Sequence, residues 1–256
     1  DLQRSSGGSM TAARKPRLLD GLRTVAALLA IFPGMLAGAW TGIRTRARRE
    51  AFNRAVGIWG AWGTRAAGID LRVEGAEFLA IRPAVFVINH QSGIDPILVC
   101  ALLERDFVGV AKVEVRRNPV LGPAFALAGT IFLDRGDAPG ARKALAGGLE
   151  TLNRGFAVVI APEGTRSAGA GLGRFKTGGF RLALAARVPV VPVVIHDAGK
   201  VLPRGGFIMR GGPVHVTVTP PISTADWDLE SVHEHVLSVQ AVFESVLARA
   251  PRATDP

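Results

Sequence analysis

Residues 84–96, AVFVINHQSGIDP, contain the pattern on which the fold of this chain depends. The first five residues are continuously apolar, as expected for a strand that is covered on both faces. A polar loop follows, and the pair Asp95-Pro96 is typical of a helix start, with the aspartate as N-cap and the proline in the first turn. The stretch therefore predicts a buried strand, a loop and a helix.

The same alternation of short β-rich runs and helical stretches continues from residue 70 onward. The runs VFVI and VVPVVI are continuously apolar, which indicates strands with both faces covered. We therefore predict an α/β fold with a mixed, largely parallel central sheet flanked by helices. The predicted strands are 71–74, 84–88, 107–111, 130–133, 156–160, 190–195 and 214–219, and the predicted helices lie near 96–103, 119–127, 140–153, 178–186 and 229–247.

A different kind of sequence precedes residue 70. Residues 1–9 are polar and rich in glycine and serine, and we interpret them as a remnant of expression before a native start at Met10. Residues 25–43 carry no charge, and a helix of this length would measure roughly 28 Å, which is marginally enough to span a bilayer. Pro33, near the middle of the run, predicts a break or a kink.

Basic residues flank this apolar run on both sides, whereas a single span usually has asymmetric flanks. The symmetry favours a helical hairpin or an interfacial helix pair, re-entrant or monotopic, at the cytoplasmic face of the cell membrane. The next stretch, 51–69, has apolar residues at helical spacing and two tryptophans. It fits a core-facing helix and an amphipathic helix at a membrane surface equally well. The flanking residues are Arg14, Lys15, Arg17, Arg23, Arg44, Arg46, Arg48 and Arg49.

Composition narrows the classes of partner. The 256 residues suit one compact domain with a short appendage, and the formal net charge of +10 calls for an anionic partner. Nucleic-acid binding would predict basic residues interleaved with exposed aromatic ones, but the chain has no tyrosine and its N-terminal arginines flank an apolar run. We therefore expect an anionic membrane surface and phosphorylated substrates as partners, and no nucleic acid. The single cysteine, Cys100, excludes an internal disulfide and a cysteine-built metal site.

Polar segments follow several predicted strands, which is where ligand sites gather in α/β sheets. His90 and Asp95 would face about 140° apart on a continuous helix, so they can meet only across a turn, which Gly93 makes possible. The carboxylate would then hold one ring nitrogen of His90 and leave the other free as a base. The aspartate also has a purely structural explanation as a helix cap.

Three further segments have the same placement. Residues 161–167, APEGTRS, offer Glu163 as an acceptor for hydroxyl groups and Arg166 as a fork for phosphate oxygens, although an ordinary Arg–Glu surface pair is the alternative. Residues 129–135, GTIFLDR, form a strand that ends in an Asp-Arg pair, and residues 175–179, FKTGG, open a helix whose backbone N–H groups favour anions. Each segment alone carries little information.

Taken in order, these segments resemble the four motif blocks of the 1-acyl-sn-glycerol-3-phosphate acyltransferase family. The blocks are His-x4-Asp, 129–135, 162–167 and the run VPVVPV at 188–193, and the stretch at 111–122 is similar to the one that links the family's first two blocks. The resemblance covers about 85–194, less than half of the chain. One departure is Ala161, where the family usually has phenylalanine; a smaller residue there could alter the acyl or acceptor pocket without removing a reacting group.

The resemblance implies an activity and a role for each residue. The family transfers a fatty acyl group from acyl-coenzyme A or acyl carrier protein, here to the free hydroxyl of lysophosphatidic acid, which yields phosphatidic acid for phospholipid biosynthesis. His90 would be the general base and Asp95 would orient it. The acceptor's phosphate and glycerol would be bound by Arg135, Glu163, Gly164, Thr165 and Arg166, with Lys112 and Lys176 as secondary candidates. The acyl donor is a substrate, so no cofactor or metal is expected.

Several alternatives remain. The acceptor could be glycerol 3-phosphate or another lysophospholipid, and a more distant possibility is a non-catalytic module that binds anionic lipid or nucleic acid. A serine hydrolase is disfavoured because the chain has no Gly-x-Ser-x-Gly elbow. An acyl-cysteine at Cys100 is disfavoured because cysteines in apolar helical runs are mostly buried and inert. We thus divide the chain into the remnant 1–9, membrane-associating helices at 10–69 and an acyltransferase domain at 70–256.

Overall fold

A computed structural model describes residues 17–119, 121–134, 138–164 and 171–249. The strands are β1 (Ile69–Glu74), β2 (Val85–Ile88), β3 (Phe107–Lys112), β4 (Ile131–Leu133), β5 (Ala157–Ile160), β6 (Val190–Ile195) and β7 (Gly212–Val218). The helices are α1 (Leu18–Leu29), α2 (Ile31–Thr45), α3 (Arg48–Ala66), α4 (Asp95–Leu103), α5 (Leu121–Leu127), α6 (Ala138–Asn153), α7 (Gly178–Ala186), α8 (Ala198–Val201) and α9 (Val232–Arg249). Two 3-10 turns span Ala76–Ala80 and Val113–Arg117.

The strands form one sheet in the order β1-β7-β6-β2-β5-β3-β4. All neighbouring pairs are parallel except β6 and β7, which are antiparallel. The predicted fold, an α/β domain with a mixed, largely parallel sheet, is therefore confirmed. Strand β2 lies near the centre, with Val85 opposite Val158 of β5 and Val190 of β6, so the polar loop that follows β2 begins between the ends of two buried strands.

Both faces of the sheet are covered, which explains the continuously apolar strands. Successive side chains of a strand point to opposite faces. Phe86 accordingly packs in a core cluster with residues of α3 and α4, whereas Val85 and Val87 pack in a second cluster with residues of α7 and α9. The residues of β2, β5 and β6 are all buried.

The predicted elements are found with small shifts in their ends. Each predicted strand lies within two residues of the observed bounds, and α7 agrees at both ends. The helix expected near 119–127 begins at Leu121, and the last helix begins at Val232 rather than at 229. The two 3-10 turns and the four-residue α8 were not predicted, because elements this short show no helical periodicity.

Helices α1 and α2 are almost continuous and separated only at Ala30. Pro33 lies three residues beyond this break and has no N–H to donate to the carbonyl of Leu29, so the predicted interruption is confirmed. Within the described part of the chain, the 28 residues Leu18–Thr45 are long and apolar enough to cross a membrane, by length and composition only. Their outward face exposes large apolar side chains, namely Leu18, Leu19, Leu22, Val25, Leu28, Leu29, Phe32, Leu36, Trp40 and Ile43.

Helix α3 turns back along α2 and packs against α4. Glycines allow the close approach: a Cβ placed on Gly38 would lie 2.7 Å from the carbonyl oxygen of Ala51, and one on Gly60 only 2.4 Å from the backbone nitrogen of Ala101. Trp59 of α3 is buried as well. Of the two interpretations of 51–69, the core-facing helix is therefore the observed one, although Trp62 is exposed.

Candidate active site

The loop after β2 is held to the neighbouring strand β6 by Asn89. Its side-chain amide donates to the carbonyl oxygen of Ile195 at 2.9 Å, and its side-chain oxygen accepts from the N–H of Ile195 at 2.7 Å. Asn89 is buried, so this pair of bonds replaces the strand pairing that ends there. The next residue, His90, is thereby fixed at the edge of the sheet.

His90 and Asp95 meet across the loop, as the sequence analysis predicts. The Nδ1 of His90 lies 2.5 Å from Oδ2 of Asp95, and the same oxygen accepts from the N–H groups of Gln91 at 3.0 Å and Ser92 at 3.1 Å. Asp95 is almost fully buried, and the side chain of His90 is 30% exposed. When Asp95 is ionised, its carboxylate only accepts hydrogen bonds, so Nδ1 carries the proton, and in the neutral ring Nε2 keeps its lone pair.

The prediction that Asp95 caps its helix is wrong. The helix begins at Asp95 and has no side-chain cap, while the N–H groups of Ile97 and Leu98 donate to the carbonyl oxygen of Ile94. The carboxylate instead accepts from N–H groups that precede the helix. Its position is therefore explained by the loop and by His90, and the capping explanation does not apply.

Glu163 joins the loops that follow β2 and β5. Its Oε1 accepts from the backbone N–H of His90 and its Oε2 from that of Gly173, both at 2.8 Å, and the side chain is buried. The adjacent Gly164 has φ of 79°, a backbone conformation that favours glycine. The two carboxylate oxygens thus hold protein backbone, and the predicted contact of Glu163 with a substrate hydroxyl stays a prediction.

A third loop reaches the same place from beyond β6. The hydroxyl of Ser92 donates to the carbonyl oxygen of Leu202 at 2.7 Å, and Arg204 two residues later lines the same cavity as His90. Neither Ser92 nor Arg204 was singled out from the sequence. Arg204 lies outside the motif blocks and in a chain rich in arginine, so no local signal distinguished it.

His90 and Asp95 open onto a cavity of about 1090 Å³. Its walls come from α2, α3, α4, β3 and α5, and they are mostly apolar, with Met35, Phe52, Val56, Val99 and Phe125 among them. Among the described lining residues, the charged ones other than His90 are Arg48, Asp95, Lys112 and Arg204. The cavity is thus a large apolar space with a histidine and several cations on its wall.

The remaining predicted residues have different outcomes. Gly164 and Lys112, which ends β3, line the cavity. Lys176 is exposed, is absent from the lining, and its backbone N–H donates to the carbonyl oxygen of Pro162. Arg135, Thr165 and Arg166 lie outside the described residues, so their predicted contacts with the acceptor stay predictions.

Cys100, the alternative nucleophile, is buried in α4. Burial raises the pKa of the Cys100 thiol to about 12, which leaves it protonated and a poor nucleophile at neutral pH. Within the described ranges, no group of three His, Cys, Asp or Glu side chains could hold a metal ion. That no cofactor is needed stays a prediction.

Comparison with known proteins identifies the family. Residues 70–196, which include the loops of His90 and Glu163, match the model of a family described as Acyltransferase. This segment, about half of the chain, therefore belongs to the acyltransferase family. The resemblance drawn from the ordered motif blocks is thereby confirmed.

Individual members of the acyltransferase family show how far the similarity extends. The chain is 33% identical over 177 residues to the 1-acyl-sn-glycerol-3-phosphate acyltransferase of Limnanthes douglasii, which covers 69% of this chain and 63% of that protein. It is 34% identical over 177 residues to the enzyme of the same name from Saccharomyces cerevisiae, and the alignment covers 68% of this chain and 58% of that protein. The chain thus spans less than two thirds of the length of these relatives.

The fold of the family extends over nearly the whole chain. The crystal structure of the 1-acyl-sn-glycerophosphate acyltransferase from Thermotoga maritima superposes with a TM-score of 0.73 at 23% identity, and the alignment covers 91% of this chain and 97% of that one. The two chains therefore share their fold, including elements outside residues 70–196.

Proposed function

We propose that this protein transfers a fatty acyl group from acyl-coenzyme A or acyl carrier protein to the free hydroxyl of lysophosphatidic acid, which forms phosphatidic acid. One observation carries the proposal: a histidine oriented by a buried carboxylate opens onto a large, mostly apolar cavity. The names of the relatives from Limnanthes douglasii and Saccharomyces cerevisiae support the choice of acceptor. Other lysophospholipids and glycerol 3-phosphate are the alternative acceptors.

In the proposed reaction, Nε2 of His90 removes the proton of the acceptor hydroxyl, and the oxygen of that hydroxyl attacks the thioester carbonyl. The new C–O bond forms an ester, the C–S bond breaks, and the departing thiolate takes the proton from His90. Asp95 stabilises the imidazolium that forms between these steps. General-base catalysis of this kind contributes ~10²–10⁴-fold to the rate, and alignment of the two substrates supplies much of the rest.

The substrates are assigned to parts of the site by their chemistry. The acyl chain is apolar and belongs in the cavity between α2, α3 and α4, where Met35, Val56 and Val99 line the wall. The acceptor phosphate belongs at the edge of the sheet, where Lys112 lies and where we expect Arg135 and Arg166. This arrangement holds the thioester carbonyl beside His90.

A thiol-release assay tests the proposed activity. Acyl-coenzyme A is supplied with lysophosphatidic acid, and free coenzyme A is measured for the wild type, His90→Ala and His233→Ala, the last being an exposed histidine on α9. We expect His90→Ala to lose ~10²–10⁴-fold in kcat and His233→Ala to match the wild type. Substantial activity in His90→Ala would remove the base from the mechanism. No thiol release by the wild type with any lysophospholipid would reject the activity.

We also propose that the outward face of α1 and α2 binds the membrane at its cytoplasmic side. This face exposes ten large apolar residues, and the exposed Arg44 and Arg46 follow it, which suits an anionic lipid surface. Replacement of Leu22, Leu36 and Ile43 by glutamine should move the protein from floated anionic vesicles to the soluble fraction. The matched control replaces Leu229 and Leu237, which are exposed outside α1 and α2. Equal flotation of both variants would contradict the proposal.

A further inference from the structure

We infer that Arg204 forms a phosphate-binding subsite at the transfer site, a role that rests on the proposed acyltransferase activity. The ligand class is a phosphate ester carried by one of the two substrates. Residue 204 lies beyond the matched family segment 70–196 and outside the four motif blocks.

The loop that carries Arg204 is fixed at both ends. At its start, Leu202 accepts from the Ser92 hydroxyl at 2.7 Å, and Gly206 N–H donates to Pro203 O at 2.9 Å in a turn. At its end, Met209 N–H donates to the buried hydroxyl of Thr24 on α1 at 2.7 Å. The loop is thus attached on one side to the His90 loop and on the other to α1.

These attachments place Arg204 near the reacting histidine. Ser92 is two residues from His90, and Leu202 is two residues from Arg204. The segments 90–92 and 202–204 therefore each span at most about 7 Å. The hydrogen bond between Ser92 and Leu202 joins these two segments, and both His90 and Arg204 line the same cavity. An arginine side chain in this position can reach a phosphate while His90 contacts a hydroxyl of the same or the neighbouring substrate.

The charges on the cavity wall favour an anion here. Three cations line the cavity among the described residues, namely Arg48, Lys112 and Arg204. The one carboxylate in that lining is Asp95, which is hydrogen-bonded to His90. In the described part of the chain, Arg204 makes no ion pair with a carboxylate, and it is exposed. A guanidinium without a protein partner retains its fork of donors for two phosphate oxygens.

Both proposed substrates can supply the phosphate. Lysophosphatidic acid carries a phosphate monoester, and the acyl donor carries phosphate groups on coenzyme A or on a phosphopantetheine arm. The chemistry of recognition is the same in both cases, so the two sources have to be separated by kinetics.

The experiment compares Arg204→Ala and Arg204→Lys with Arg181→Ala, an exposed arginine on α7 that does not line the cavity. KM is measured for lysophosphatidic acid at saturating acyl-coenzyme A, and for acyl-coenzyme A at saturating acceptor. We expect Arg204→Ala to raise one KM about tenfold or more with little change in kcat, because a hydrogen bond to a charged group is lost. Arg204→Lys should recover part of the effect, since it keeps the charge without the fork.

The substrate whose KM changes is the one that carries the bound phosphate. A rise in the acceptor KM, with no effect on a phosphate-free monoacylglycerol acceptor, assigns Arg204 to the acceptor phosphate. A rise in the donor KM assigns it to the donor. If neither KM changes while the wild type and Arg181→Ala are active, the subsite is rejected.

A binding measurement separates this result from a failure of the proposed activity. The shift in Tm caused by coenzyme A and by glycerol 3-phosphate is compared between the wild type, Arg204→Ala and Arg181→Ala. If no variant releases thiol, the activity is rejected, and the subsite still stands or falls on whether Arg204→Ala alone loses the ligand-induced shift.

Discussion

Around His90 the cavity wall is made of loops, and between α2 and α3 it is made of helices. The loops are fixed by buried polar side chains that bond to backbone: Asn89 to β6, Asp95 to its own loop, and Glu163 to the His90 and Gly173 N–H groups. The helices are held by close contact between small residues, such as Gly38 against Ala51. Specific polar atoms therefore define the loop part, whereas close packing of small residues is the main feature of the helix part.

This difference predicts different responses to substitution. In the loop part, replacing one polar atom of a side chain removes a hydrogen bond. Such a change should reduce catalysis and leave the binding of the acyl chain unchanged. In the helix part, a change of one methyl group alters contact distances and should change stability or chain-length preference while the reacting groups stay in place.

The largest effect is expected for Asp95→Asn. The amide keeps the size of the carboxylate but loses its charge and presents a donor to the loop N–H groups or to His90, so the imidazolium is no longer stabilised. We expect kcat to fall by ~10²-fold or more. The control is Asp70→Asn, which removes an exposed pair with Arg72 on β1 and should leave kcat unchanged. Comparable kcat values for the two variants would contradict the assigned role.

The next effect concerns stability of the helix part. In Gly60→Ala the new Cβ would lie 2.4 Å from the backbone nitrogen of Ala101, and backbone cannot give way easily. We expect the free energy of unfolding to fall by about 1–3 kcal/mol. Gly57→Ala on the same helix is the matched control, because its Cβ would lie 3.7 Å from the carbonyl oxygen of Glu104 and alanine favours the helix. Denaturant titrations that rank the two variants in the opposite order would reject the close packing.

A smaller effect is expected on chain-length preference. Val99 of α4 lines the apolar part of the cavity, so Val99→Phe should fill space that a long acyl chain needs. Exclusion of about two methylenes from the cavity should lower kcat/KM roughly tenfold for the longest acyl-coenzyme A substrates and leave it unchanged for short ones. Val99→Ala should shift the preference the other way. Parallel loss of activity for all chain lengths would argue against an acyl site here.

The smallest effect concerns Asp106, which links the helix part to β3. Its Oδ1 accepts from Arg49 Nε at 2.6 Å and from Asn53 on α3, and mainly the bond from Arg49 lowers the pKa of Asp106 to about 2. A folded-state pKa below the unfolded value near 3.9 means that the stabilisation is present above pH 4 and is lost as the pH falls towards 2.

Asp106→Asn tests this link. Because Arg49 is exposed, the variant should lose about 1 kcal/mol or less of unfolding free energy at pH 7, and the difference from the wild type should shrink below pH 4. Unfolding titrations at pH 7 and pH 3 measure both values. A difference that does not depend on pH would show that the ionised carboxylate is not responsible.

The same contrast explains which features the sequence predicted. Continuously apolar strands such as 190–195 report burial on both faces directly, and the meeting of His90 with Asp95 followed from their placement between a strand and a helix. The direction in which α3 faces depends on the backbone contact at Gly60, which involves a residue about forty positions away and leaves no periodic signal. Arg204 likewise depends on the long-range bond between Ser92 and Leu202.

The position of α2 and α3 has a practical consequence for protein engineering. These helices carry or adjoin the apolar outer face, and their inner residues, such as Met35 and Val56, form the wall of the cavity. A shortened chain that begins after Ile69, designed to gain solubility, would therefore open the cavity to water on one side. A water-soluble variant should keep these helices whole and change only the outward side chains.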